Sequence, residues 1–546
     1  MNSIPFSDLP SSTNGYSQLF LDYIENNSKV ETFFNGNFKK DSDWKSLLKK
    51  VTNRSLDRSA IAQILSRQNK ENHCGVKTLA NIDLLLNDNT VAVVTGQQVG
   101  IFTGPLYTIY KTLTCLKLVE NLNERFPDYS FVPIFWLEGE DHDIDEVISI
   151  HLMNQANDLM TATYDIAGKG NEKNLGAVGK LRFEDKINLL FDSLQSSLVQ
   201  TEYTQKVMDL FRVSYQTGMS FNKSFMNILN DLLPESGLIF LDPNDVEVKQ
   251  LLKPLFKREL SETPRFCQLV IDQSARLEKA YHAQIKPKSI NLFFFHNEGR
   301  YLLEPKSDGY SLKGTRQHLS KEQVEEALEN TPEKFSSNVV LRPICQDTLL
   351  PTIAYVAGPS EIAYFAQLKT LYEDVGIPEP MIFPRASVTI VEEKVEKVLQ
   401  RYSLRISEIL HDVEIAKAKV ANQISDINID EIFGGSGIAI REILEQMKPG
   451  LQQLDPTLLG AVQNTQQKFE SHLTVLREKS VAAQKRQHEV SLRQVEKAAN
   501  HLFPGGQFQE RTINILHFLN KYGLEFVRWL YTEMKIDVFE HQIIFL

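Results

Sequence analysis

The chain has 546 residues, enough for two to four domains and a sizeable core. Its 42% hydrophobic and 24% charged content is that of an ordinary soluble protein, and 59 basic against 70 acidic residues (formal charge −11) argue against a general nucleic-acid binder. The four cysteines, Cys74, Cys115, Cys267 and Cys345, form no C-x-x-C pair, so a cysteine-based zinc site is not expected. No basic-then-apolar leader opens the chain and no apolar run approaches the ~20 residues of a membrane span, so a cytoplasmic protein without membrane or nucleic-acid partners is expected.

Residues 1–85 carry apolar residues at helical spacing, over Ser17–Ile24 and Leu47–Leu65, and should pack on the neighbouring domain. Residues 86–150 begin a Rossmann-like core: strand Val91–Thr95, helix Leu106–Arg125, strand Phe131–Leu137. Pro133 favours an edge or irregular position for the second strand. Residues 151–335 read as connecting insertions, with an alternating stretch at Thr161–Phe183, a core strand at Leu238–Leu241 and a hairpin from Asn291–His296 to Tyr301–Glu304. Residues 336–387 supply further core strands at Thr352–Ala357 and Met381–Phe383.

From 388 to 500 the period changes. Val388, Val391, Val395, Val398, Tyr402, Ile406, Ile409 and Val413 recur at three and four, as do Leu459, Val462, Phe469, Leu473 and Leu476. Breakers at Phe433–Gly437 and Pro449-Gly450 separate them. The pattern predicts two long helices folded back as an antiparallel coiled coil, the first spanning roughly 38 residues and on the order of 55 Å. Such an arm suits dimerisation. Residues 501–546 should return to the core through the apolar end Ile543–Leu546.

Several apolar runs end in residues that bind or react, as strands of an open α/β sheet do at their carboxyl ends. After the first strand come Thr95, Gly96, Gln97, Gln98, Gly100, Thr103, Gly104 and Pro105. This glycine-rich turn could bring free N–H groups to an anion, with Lys111 leaning toward it. It has neither the Walker A nor the dinucleotide pattern, and a plain βα turn with a surface lysine is the alternative. After the second strand come Glu138, Glu140, Asp141, His142, Asp143, Asp145 and Glu146. Clustered carboxylates can hold an ammonium group or a metal, and His142 can exchange a proton near neutral pH; a solvated acidic loop is the alternative. Gly358–Phe365 repeats the arrangement, with Ser360 as a helix cap, Glu361 in the first turn and Tyr364 one turn later. Arg385 offers a forked donor to an anion, Ser387 could cap the long helix, and Arg342 is a second lone arginine.

Taken in order, Val94-Thr-Gly-Gln-Gln-x-Gly-x-Phe-x-Gly-Pro-Leu-Tyr-Thr-x-Tyr-Lys111, Phe135-Trp-x-x-x-Glu-Asp-His-Asp143, Leu341-Arg-Pro-x-x-Gln-Asp347, Tyr355-x-x-Gly-Pro-x-Glu-Ile-Ala-Tyr364, Pro384-Arg-Ala-Ser387 and Gln509-Glu-Arg through Phe518-Leu-Asn-Lys-Tyr-Gly523 resemble the BshC family of bacillithiol biosynthesis. The resemblance implies an α/β fold: a Rossmann-like parallel-sheet core with inserted connecting domains and a C-terminal antiparallel coiled-coil domain that forms a homodimer. It implies a ligase that joins the carboxyl of cysteine to the amino group of glucosaminyl-malate. It also implies kinship with class I synthetases, hence ATP or ADP, although Gln97 and Gln98 stand where those enzymes carry a histidine motif.

The expected catalytic residues are His142, Asp141 and Glu140. The expected substrate- or nucleotide-binding residues are Gly96, Gln97, Gln98, Gly100, Thr103, Gly104, Lys111, Glu361, Tyr364, Arg385 and Ser387, with no metal. The alternatives are a nucleotide-binding coiled-coil regulator or scaffold, and a metal-dependent hydrolase built on the 138–146 carboxylates.

Overall fold

A computed structural model describes residues 2–9, 16–25, 28–166, 174–424 and 429–546. The chain divides into two units, Met1–Thr389 with Gln507–Ile544, and Ile390–Gly506 with Phe545–Leu546.

The first unit is built on five parallel strands: β1 (Thr90–Gln98), β2 (Ser130–Glu138), β3 (Ile239–Leu241), β4 (Thr352–Ala357) and β5 (Met381–Pro384). Their order in the sheet is β5-β4-β1-β2-β3. The strands are near-continuous apolar runs because both faces of a parallel sheet are covered. One cover is the helix Tyr107–Arg125, buried along most of its length, whose Cys115 thiol reaches Val93 O at 3.3 Å. The chain builds outward from β1 to β2 and β3, then starts again on the other side of β1 with β4 and β5. The sheet therefore changes direction between β1 and β4, where open α/β sheets leave a crevice.

Pro133 lies in β2, an interior strand, not an edge. It is tolerated because β3 is only three residues long and pairs with β2 from Ile134 onward, leaving Pro133 without a partner on that side. The far edge of β3 is closed by a side chain: Asn69 accepts from Phe240 N at 2.9 Å and donates to Phe240 O at 2.8 Å. Asn69 comes from the N-terminal helices, which pack on the core as expected. Arg58, donating to Leu85 O and Thr90 O, ties them to the start of β1.

The predicted hairpin belongs to a five-stranded antiparallel sheet (Leu292–His296, Gly299–Lys306, Gly309–Leu312, His318–Ser320, Phe335–Ser337). Of the Thr161–Phe183 stretch, residues 167–173 lie outside the described residues; Leu159–Thr163 pairs with Ser149–Met153. The C-terminal apolar run does return as a strand, His541–Phe545, antiparallel to Asn2–Ile4.

The second unit corrects the helix boundaries. Ser387–Val391 is a strand, and the predicted first long helix is three pieces, Glu393–Arg401, Ile406–His411 and Val413–Ile424. The long pair is instead Ile429–Leu454 and Leu458–Gln487, and both presumed breakers lie inside the first of these. Pairing explains it: Ile429–Leu454 packs along Leu458–Gln487, and that packing carries the helix through a few glycines and one proline that propensity alone would not favour. The two helices are antiparallel, joined at a turn where Asp455 accepts from Thr457 N and Oγ1, and clipped by Arg477 to Asp430 at 2.6 Å.

Candidate active site

Four strand ends open into one cavity of about 610 Å³ at the switch point. Gly96, Gln97 and Gln98 close β1, Glu138 closes β2 and leads to Glu140, Asp141 and His142, Gly358–Glu361 follow β4, and Arg385 follows β5. Gly96 is required by the pairing itself. A Cβ there would sit 2.8 Å from Trp136 O on the neighbouring strand.

The cavity wall is made of charges held in pairs. Lys111 Nζ lies 2.7 Å from Glu361 Oε2 and donates to Gly96 O at 2.6 Å. Burial lowers the Lys111 pKa while Glu361 opposes it. Glu361 also accepts from Tyr355 OH and from Gly358 N, both at 2.7 Å, so it, and not Ser360, closes the start of helix Pro359–Phe365. Burial works against the Glu361 charge, but Lys111 and these donors hold its pKa below the usual value. Arg342 Nε is 3.1 Å from Glu138 Oε1, and its Nη2 donates to Tyr364 OH at 3.1 Å. Burial pushes the Glu138 carboxyl up to about 7, against the pull of Arg342 and with the Glu140 charge adding to it. Desolvated pairs of this kind are costly to break because the surviving charge is left uncompensated.

On the β2 side, Arg300 organises the tip. It donates to Ser336 Oγ at 2.8 Å and Ser337 O at 2.7 Å, and lies 3.9 Å over the Phe293 ring. Its Nη1 reaches Asp141 Oδ1 at 3.3 Å and His142 Nδ1 at 3.2 Å. The same Nδ1 lies 3.4 Å from Asp141 Oδ1, so it accepts from Arg300 in the Nε2–H tautomer and donates to Asp141 in the Nδ1–H tautomer. Asp141 also accepts from His142 N at 2.8 Å and from Gln98 Nε2 at 2.9 Å. Burial raises its pKa, but His142, Arg300 and Gln98 outweigh that and hold it well below the usual carboxylate range.

At the opposite end, Gln97 Nε2 donates to Tyr107 OH at 3.4 Å, and Arg385 lies 5.8 Å from the Tyr107 ring centroid. Arg385 makes a forked pair with Glu510, at 2.9 and 2.6 Å. Arg511 lines the same end.

Two family models divide the chain between them. Residues 4–386 match "Bacillithiol biosynthesis BshC, N-terminal Rossmann-like domain", and residues 388–546 match "Bacillithiol biosynthesis BshC, C-terminal coiled-coil domain". The chain belongs to the BshC family. Among curated relatives it is 36% identical to a protein of Salinibacter ruber, over 98% of this chain and 97% of that one, and 35% identical to one of Chloroherpeton thalassium, over 99% of both. A protein of Prosthecochloris aestuarii is 34% identical over 95% of both chains. All three carry the name "Putative cysteine ligase BshC".

In this BshC-family chain Gly96, Gln97, Gln98, Lys111, Glu140, Asp141, His142, Glu361, Tyr364 and Arg385 line the cavity together. Gly100, Thr103, Gly104 and Ser387 are not among its lining residues. The turn after β1 is an internal clamp, not an anion cradle. Its Gly100, Ile101 and Gly104 amides bond to Gln98 O, Val147 O and Ile101 O, and Asn514 Nδ2 takes the carbonyls of Phe102 and Gly104. Ser387 caps no helix: it donates to Glu510 Oε2 at 2.9 Å and lies 2.8 Å from His541 Nδ1. Glu140 forms a buried pair with Lys249, and Asp143, Asp145 and Glu146 are exposed and outside the cavity. Each cavity-lining carboxylate of the 138–146 run faces its own cation, an arrangement unlike carboxylates converging on one metal.

Arg300, Tyr107, Phe293, Asn338 and Arg511 also line the cavity and were not expected there. Arg300 arrives from a hairpin more than 150 residues after Asp141, and no local pattern marks it. Arg511 had one signal, its place in the Gln509-Glu-Arg motif.

Proposed function

We propose that this chain is a carbon–nitrogen ligase that joins the carboxyl of cysteine to the amino group of glucosaminyl-malate. The observation that carries the reading is the convergence of Asp141, His142 and Glu138 on one cavity at the switch point of the sheet. Family membership and the names of the relatives support it.

In this reading Asp141, held charged by Arg300 and Gln98, accepts from the sugar ammonium and positions it. Glu138, at about 7, is suited to take the proton that the amine loses on attack. His142, in its Nε2–H tautomer, supports the oxygen charge that builds in the tetrahedral state. As the C–N bond forms the carboxyl C–O bond breaks, its oxygen leaving as water with the two protons the ammonium gives up. Lys111 and Glu361, locked to each other, keep the wall rigid, so that positioning supplies much of the rate. Joining a free carboxylate to an amine in water is uphill, and ATP or ADP chemistry is the proposed source of drive. The β1 turn does not fit its phosphates, since the Gly100, Ile101 and Gly104 amides are already bonded. No step is therefore routed through a nucleotide.

We also propose a cytoplasmic homodimer. Ile432, Ile438, Ile443, Met447, Phe469 and Leu476 are each close to half exposed on the helical hairpin, an apolar surface suited to a second copy. Among the described residues no helix is long and apolar enough to cross a membrane.

The test is to incubate the purified protein with cysteine, glucosaminyl-malate and each of a panel of nucleotides, and to follow bacillithiol by mass spectrometry. Product with one nucleotide is expected. No product across the panel overturns the reading.

A further inference from the structure

Among the described residues the cavity holds five Lys or Arg side chains, and four are neutralised by carboxylates: Lys111 by Glu361, Arg300 by Asp141, Arg342 by Glu138 and Arg385 by Glu510. The fifth, Arg511, makes no ion pair with any described residue. Its guanidinium is held by ring faces instead, 5.8 Å from the Tyr16 centroid and 5.9 Å from that of Phe508. A cation–π contact at this range keeps the guanidinium near the two rings and takes up none of its N–H donors, which stay available for a bidentate anion.

The position of Arg511 gives the anion a direction. A run of contacts crosses the cavity from Arg300 through Asp141 and Gln98, then Gln97 and Tyr107, to Arg385. Burial raises the Tyr107 pKa, and of the charges around the phenol Arg385 and Arg511 lower it while Glu146 and Glu361 raise it. Arg511 follows Glu510, the partner of Arg385 at the end of β5, whereas His142 follows β2, and β4 and β1 lie between those two strands, so Arg511 stands at the end of the cavity away from His142. A group bound there is not the one that reacts.

We propose that Arg511 is a specificity-determining residue that binds a carboxylate of the amino-sugar substrate remote from the forming amide. This rests on the ligase reading, in which the cysteine carboxyl is consumed and the malyl carboxylates are not. Arg385 stands next to this anion but is already satisfied by Glu510, so among the described residues the charge that selects the acid-bearing acceptor is that of Arg511.

Direct binding tests this without turnover. Isothermal titration calorimetry would compare wild type, Arg511→Gln and Arg511→Lys with glucosaminyl-malate and with methyl glucosaminide, which has no carboxylate. Arg511→Gln should weaken glucosaminyl-malate about tenfold or more, a loss of about 1.4 kcal/mol. Arg511→Lys should weaken it less, and neither should change methyl glucosaminide. Unchanged glucosaminyl-malate binding in Arg511→Gln, or an equal loss for both sugars, overturns the proposal. These outcomes are read from affinity, so they stay distinct from failure of the ligase reading, which is absence of product from the wild type.

Discussion

Arg385 and Glu510, 125 residues apart in sequence, meet in a forked ion pair in which both side chains are buried. Burial lowers the Arg385 pKa and raises that of Glu510; their mutual attraction and hydrogen bonds overcome both. The pair joins the end of β5 to the C-terminal segment that carries Arg511. Glu510→Gln should destabilise the first unit by about 3–5 kcal/mol, because Arg385 would remain charged and buried without a partner. Arg385→Met combined with Glu510→Leu should recover most of that loss. Urea unfolding midpoints of the three variants would measure it.

His541 accounts for an acid limit on stability. Its two nitrogens lie 2.8 Å from the hydroxyls of Ser387 and Thr389, and burial pushes its pKa from 6.5 down to about 4, with Glu510 opposing and Arg385 adding. The folded state therefore binds fewer protons than the unfolded state between about pH 6.5 and 4. Stability should fall as pH drops through that window, by at most about 1.4 kcal/mol per pH unit for this one group. The depressed Glu510 pKa acts with the same sign at lower pH. His541→Gln should flatten the slope between pH 6.5 and 4.5 in a series of urea midpoints, although it will also lower stability at pH 7.

Gly139 sits between Glu138 and Glu140 because Asn222 leaves no room for a side chain. A Cβ at Gly139, or at Gly179, would fall on the Asn222 amide. Gly139→Ala should cost about 1–3 kcal/mol through overpacking and displace the 138–142 tip. Asn222→Ala in the same chain should restore both. Thermal unfolding reads the first effect, and affinity for glucosaminyl-malate reads the second.

Arg300 positions His142 and does not react itself. Arg300→Met should release Nδ1, and nitrogen NMR at neutral pH should show the Nε2–H form of His142 giving way to a mixture of tautomers. Ligase turnover should fall about a hundredfold, the usual scale for losing an oriented acid or base. A wild-type spectrum with the proton on Nδ1 would show that the imidazole is held the other way.

The sequence by itself determined the parallel core and its strand ends. Continuous apolar runs such as Val91–Val94 and Phe131–Leu137 can be satisfied only where both faces are covered, and the polar residues that end them must then emerge at one edge of the sheet. That is why Gln97, Gln98, Asp141, His142, Glu361 and Arg385 could be named from local pattern alone. Tertiary structure decided which charges neutralise which. Lys249 claimed Glu140, Arg342 claimed Glu138 and Glu510 claimed Arg385, each from a distant part of the chain, because the cost of desolvating a charge is set by whatever the fold brings within a few ångströms. It also turned the glycine-rich loop inward: the side chain of Asn514, more than 400 residues away, took up the carbonyls of Phe102 and Gly104. The helical register of the second unit was legible as apolar periodicity. Its boundaries were not, because whether glycine and proline end a helix or ride within it depends on the helix that packs alongside.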